Sequence, residues 1–237
     1  LGVTKYTFTS SAAVNYANTG LLWVSSHMYT SALHLPSYAV IASINVTVSI
    51  SQTSWDQLDL DLVHNASSIA VRLIARNFLA SCGPDLQVTF ADAANSALPC
   101  AHAPHGVFRP AGPLATLTDH VARSAYWLRM RSTQGTLNSW AITFAVQCPA
   151  NMYGNGTWCA ACPAHSVSSA GSSSIQQCVC DLAYYMHSGS CVACPAYSTT
   201  PAIGATSSGE CACVAGATGS PSTACTRELR VSLVPHA

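Results

Sequence analysis

A chain of 237 residues with nine basic and nine acidic side chains has no formal net charge, so electrostatics give no reason to expect nucleic acid or an acidic membrane as a partner. Only 8% of the residues are charged, against ~25% in ordinary soluble domains. Mean hydropathy is +0.28, yet no apolar run reaches the ~18 residues a membrane helix needs. A surface this poor in charge needs a cover, either glycan or other subunits.

The chain starts at Leu1 rather than at a methionine, which suits a processed secreted protein. Residues 1–26 are rich in Thr, Ser, Ala and aromatics, with strand character at Tyr6–Phe8 and Leu21–Val24. Ile44, Val46, Val48 and Ile50 alternate with Asn45, Thr47 and Ser49, the period of a half-buried strand. Leu58, Leu60 and Leu62 alternate with Asp59 and Asp61, which are read as the outer face of the next strand. Asn65 and Ser67–Ser68 form a turn, followed by Ile69, Val71 and Leu73 and then by Leu86, Val88 and Phe90. The segments are short and evenly spaced, and none shows a convincing helical period. An all-β, jelly-roll-like antiparallel β-sandwich over residues 1–147 follows.

Gly135 to Phe144 reads GTLNSWAITF. A turn delivers Trp140 to a strand on which Ile142 and Phe144 share its face, and these three join Val46, Val48, Leu60 and Val71 as the expected core. In the strand before it, Tyr126, Leu128 and Met130 share one face and Trp127 and Arg129 the other.

The closing strand resembles that of the P domain (Homo B), the β-sandwich that follows the catalytic domain in subtilisin-like proprotein convertases. The resemblance extends over roughly 43–146. Asp56-Gln57-Leu58-Asp59-Leu60 stands at the family's Gly-Asp-Leu strand start. Gly83-Pro84-Asp85-Leu86 and Thr89 to Ala94 resemble its central loop and Phe-Asp-Asp-Ala segment, and Phe108-Arg109-Pro110 its Tyr-Arg-Pro turn. The family has an inward Trp at the position of Tyr126, and the resemblance implies that Tyr126, Leu128 and Met130 point inward and that Trp127 and Arg129 point outward. Trp127 is then covered by the chain's own N-terminal segment or serves as a subunit contact. The chain departs from the pattern where the family has a histidine (here Gln52), an aspartate (here Gln57) and an aspartate after the penultimate strand (here the Arg131 region). These changes remove carboxylates that a calcium site would use, and no cofactor is expected.

Ten of the twelve cysteines follow residue 147. Cys148, Cys159, Cys162 and Cys178 are succeeded by Cys180, Cys191, Cys194 and Cys211, then by Cys213 and Cys225. The period of 32 to 33 residues gives two modules and half of a third over residues 148–226. These resemble the ephrin-receptor-like and TNF-receptor-like cysteine-rich repeats, which implies an elongated module with little regular secondary structure, held by disulfides rather than a core. Pairing of successive neighbours is the simplest scheme: Cys148–Cys159, Cys162–Cys178, Cys180–Cys191, Cys194–Cys211 and Cys213–Cys225. Crossed pairings remain open. Cys82 and Cys100 are left to close the long loop of the sandwich. Two C-x2-C steps also have zinc spacing, but an oxidising compartment is favoured by the cysteine count together with N-glycosylation sequons at Asn45, Asn65 and Asn155.

No nucleophile elbow, carboxylate pair or phosphate-cradling loop stands out, none of the nine histidines forms a tight cluster, and no catalysis is expected. Three classes of function fit. The favoured one is a structural subunit of an extracellular glycoprotein assembly (a filament, surface hair or wall layer) with copies of itself as partners. The others are an adhesion or ligand-binding ectodomain and the non-catalytic tail of a secreted protease. In residues 227–237, Leu229, Val231 and Leu233 alternate with Arg230 and Ser232. This strand-like tail either folds back or adds to an open sheet edge of the next molecule, with Val3–Thr9 as the competing donor.

Overall fold

The computed structural model describes residues 4–11, 13–15, 23–30, 35, 38–51, 57–76, 85–99, 105–132, 135–155, 158–220 and 224–227, in two compact units divided after Cys148. Cys82, Cys100, Gln52 and the tail with Leu229, Val231 and Leu233 lie outside the described residues.

The first unit is built from β1 (Thr4–Ser10), β2 (Val14–Asn15), β3 (Val24–Tyr29), β4 (Val40–Ser51), β5 (Asp59–His64), β6 (Ile69–Ile74), β7 (Asp85–Phe90), β8 (His105–Phe108), β9 (Ala125–Arg131) and β10 (Thr136–Gln147). One sheet has the order β1-β10-β4-β7-β8, with β2 also on β10, and the other has β3-β9-β5-β6. Alternation decides which side chains enter the core. Val46, Val48 and Ile50 of β4, Leu60 and Leu62 of β5, Val71 of β6, Leu128 and Met130 of β9, and Trp140, Ile142 and Phe144 of β10 form one buried cluster. Trp140 spans it, because its indole Nε1 on β10 donates to Ser26 Oγ on β3 at 2.9 Å. The Tyr126 and Phe144 rings meet 5.0 Å apart across the same core.

Two features depart from the reading of the sequence. β8 runs parallel to β7, whereas only antiparallel pairing was expected. Asp59 and Asp61 do lie on the outer face of their strand, as read from the sequence, but they are buried there, which alternation did not indicate. All six residues of β5 are buried, because β9 and β6 flank this strand and their arginines fold over its carboxylates.

The second unit repeats one small device. Hairpins β11–β12 (Met152–Gly154, Cys159–Ala161), β15–β16 (Tyr184–His187, Ser190–Ala193) and β19–β20 (Ala217–Ser220, Ala224–Arg227) recur. Each of the first two modules adds a short pair, β13–β14 (Ser166–Val167, Val179–Cys180) or β17–β18 (Ser198–Thr199, Ala212–Cys213). Before the fourth cysteine of each module stands a single 3-10 turn closed by a capping box, Ser174 with Gln177 and Ser207 with Glu210. The Cys-Pro steps also match: the Ser166 hydroxyl donates to Pro163 O at 2.7 Å and the Ser198 hydroxyl to Pro195 O at 2.6 Å.

Disulfides join Cys162–Cys178, Cys180–Cys191, Cys194–Cys211 and Cys213–Cys225, and Cys148 and Cys159 are also disulfide-bonded. Oxidised sulfur in both C-x2-C steps leaves no thiolate for zinc there. Replacing Cys162 and Cys178 by serine opens a loop of sequence separation 16 and should cost about 3 kcal/mol. Denaturant titration checks this, and an unchanged midpoint contradicts it.

Candidate functional site

Six charged side chains of this charge-poor chain gather on the outer face of the four-stranded sheet. Period 2 and strand register assemble it. Asp61 on β5 stands opposite Arg129 on β9 and Arg72 on β6, and Asp59 stands opposite Arg131. Cross-strand neighbours on one face are close enough for direct ion pairs. Asp59 accepts from Arg72 Nη1 at 2.5 Å, from Arg76 Nη2 at 3.0 Å and from Arg131 Nη2 at 2.6 Å. The backbone N–H of Arg76 adds a bond of 3.1 Å. Asp61 accepts from Arg72 Nε and, at 3.4 Å, from Arg129 Nη2.

Exposure is divided unequally. The Asp59 and Asp61 side chains are 2% and 6% exposed, while the four arginines keep 30–37%. Trp23 sits beside them, with the guanidinium carbons of Arg131, Arg129 and Arg72 4.9, 5.1 and 5.9 Å from its ring, within cation–π range. Burial acts to raise the Asp59 pKa. The Arg131 hydrogen bond, the Arg76 amide and the charges of Arg72 and Arg76 outweigh it, so the pKa falls below the usual 3.8. A carboxyl with a depressed folded-state pKa stabilises the fold above its unfolded value, and that contribution is lost as pH falls through the folded value.

With guanidiniums around both carboxylates, the arrangement is cationic at its surface and unlike a calcium cage, which needs several free oxygen ligands. Among the described residues no group of three or more His, Cys, Asp or Glu is placed to hold a metal. Trp127 lies in the same sheet, half-buried, opposite Val63 and His27, with the His27 ring edge-on at 5.3 Å. The segment that flanks it is β3, from the N-terminal part of the chain. Asn45 is exposed on β4 opposite Thr143, Asn65 is exposed at the turn after β5, and Asn155 is exposed after β11, with Oδ1 accepting from the Trp158 amide at 3.1 Å.

Two histidines separated in sequence do meet. The His64 and His120 rings are 5.8 Å apart, and Tyr126 packs on His64 at 5.1 Å. His64 Nε2 faces Val121 O at 3.1 Å and Nδ1 faces Ser67 Oγ at 2.7 Å. A carbonyl only accepts, so Nε2 carries the proton and Nδ1 accepts from the hydroxyl. Burial first, and the neighbouring His120 charge second, hold the His64 pKa below 6.5 against the raising effect of Val121 O. The unfolded chain therefore binds this proton more readily. Stability is full above about pH 6.5 and declines as the medium is acidified. Melting temperature should fall between pH 7.5 and 5.5 in the native chain and less steeply in His64→Gln; parallel profiles contradict this role.

Sequence reasoning did not find Trp23, Arg72, Arg76, Arg129 and Arg131 as a group. The available signal was Arg129-x-Arg131 on one strand matching Asp59-x-Asp61 on another.

No protein-family model matches the chain, and no curated protein matches it. Fold and bridges define an all-β, disulfide-rich protein. Its bridges are of the kind that persists in oxidising compartments and point to an extracellular or secreted chain. No helix among the described residues is long and apolar enough to cross a membrane.

Proposed function

We propose that this chain is a non-catalytic structural subunit of an extracellular glycoprotein assembly, such as a filament, surface hair or wall layer, in which its partners are copies of itself. The observation that carries this reading is the surface of the second unit. Trp158, Leu182, Tyr197 and Ile203 are each more than half exposed there, while residues 149–227 contain only Asp181, Glu210 and Arg227 as charged side chains. Exposed large apolar groups with so little charge around them favour association over dispersal. The resemblance of the sandwich to a P domain and of the modules to receptor-type cysteine-rich repeats belongs to this reading. Strand addition by the tail, residues 227–237, onto a neighbour's sheet edge is its head-to-tail contact, which propagates into an open polymer.

A second reading, an adhesion or ligand-binding ectodomain, is favoured by the exposed guanidiniums around Asp59 and Asp61. Sedimentation of the secreted chain over a range of concentrations separates the two. Growth into large species that deletion of residues 227–237 abolishes is expected, whereas a monomer at every concentration contradicts the structural role. Peptide mapping should find glycan on Asn45, Asn65 and Asn155, and three unmodified asparagines contradict the glycoprotein assignment.

A further inference from the structure

We infer that the arginine cluster on the outer face of the four-stranded sheet binds an anionic polysaccharide, through sulfate or uronate groups. Four guanidiniums stand over two carboxylates, so the described cluster carries two uncompensated positive charges in a chain whose total is zero. Nearly half of the nine basic side chains are spent on one sheet face.

The donors are also incompletely used. An arginine offers five N–H groups. Arg129 makes one hydrogen bond to Asp61, at 3.4 Å, and its Nε is the one buried side-chain nitrogen or oxygen without a partner among the described residues. Arg76 and Arg131 each grip the same oxygen of Asp59, and their remaining donors have no partner among the described residues, which leaves them for an outside acceptor. All four side chains keep about a third of their surface in water, so an incoming anion meets them without unfolding anything. The buried carboxylates fix the guanidiniums in place beforehand, and planar forks held in this way suit sulfate and carboxylate oxygens. Trp23, 37% exposed at the edge of the cluster, adds an apolar flat surface of the kind that packs against the C–H face of a sugar ring.

The choice of a polysaccharide over another polyanion rests on the extracellular reading. Binding is measured in vitro without reference to assembly, so failure here leaves the sedimentation result standing, and the reverse also holds.

The test is binding of the full-length secreted chain to immobilised dextran sulfate, polygalacturonate and neutral dextran, at low and at physiological ionic strength. Retention on one or both anionic polymers, weakened by salt, and none on neutral dextran is expected; the two anionic arms tell sulfate from uronate. Arg76→Gln combined with Arg129→Gln removes the two excess charges while Asp59 keeps Arg72 and Arg131 and Asp61 keeps Arg72, and it should lower affinity at least tenfold. Lys5→Glu lowers the charge by the same two units on the exposed face of β1 in the other sheet and should leave affinity within about twofold of the parent by ordinary screening of distant charges. Should the double variant not melt cooperatively, Arg129→Gln alone is read, with a loss of threefold or more expected. Failure of the native chain to bind either anionic polymer overturns the inference. So does unchanged affinity in the cluster variant, or an equal loss in the Lys5→Glu control.

Discussion

Replacing Trp140 by alanine is expected to lower the free energy of unfolding by about 3–5 kcal/mol. The side chain is fully buried among the largest residues of the core, so truncation loses its transfer energy and leaves a cavity that rigid flanking strands cannot close. A second loss is specific to this site. The indole N–H bonds Ser26 Oγ on the facing sheet, and Ser26 is itself buried, so its hydroxyl is left without that partner away from water. Trp140→Phe separates the two contributions: it keeps most of the apolar volume, loses the hydrogen bond, and should cost about 1–2 kcal/mol. Denaturant titration of both variants decides the matter, and a midpoint unchanged in Trp140→Ala contradicts the placement of this residue at the centre of the sandwich.

Asp59→Ala is expected to be nearly as damaging, at about 3–5 kcal/mol. Three arginines converge on this carboxylate, and removing it leaves Arg76 and Arg131 without a counter-charge and Arg72 with Asp61 alone. Their partial exposure allows water and salt to soften the repulsion. The deficit of the variant should therefore shrink as ionic strength rises, while a cavity mutant such as Trp140→Ala shows no such recovery. A deficit below about 0.5 kcal/mol, the size of an ordinary surface change, contradicts the role of Asp59 as the hub of the cluster.

The strands were legible wherever one face is apolar and the other polar. Val46 to Ile50, Leu86 to Phe90 and Trp140 to Phe144 announce themselves by alternation, and all their large apolar members are buried. β5 shows where that reasoning stops. Alternation correctly sets Leu60 and Leu62 on the face opposite Asp59 and Asp61, but whether the polar face meets water depends on the strands that flank it. Those are β9 and β6, the first of them distant in sequence, and register with them puts Arg129 and Arg131 beside the two aspartates. Period 2 carries no information about which strands pair. The same limit hides the parallel β7–β8 pairing and the meeting of His64 with His120. In the cysteine-rich unit the spacing revealed the modules. The Ser174/Gln177 and Ser207/Glu210 capping boxes, one module apart, were legible too, because a serine three residues before a Gln or Glu is a local signal.

Electron microscopy of the native extracellular material, decorated with antibody against the cysteine-rich unit, tests the structural role most directly. Label repeating at a constant interval along an ordered polymer is the predicted result. Label confined to isolated particles, or absent from every ordered structure, contradicts it.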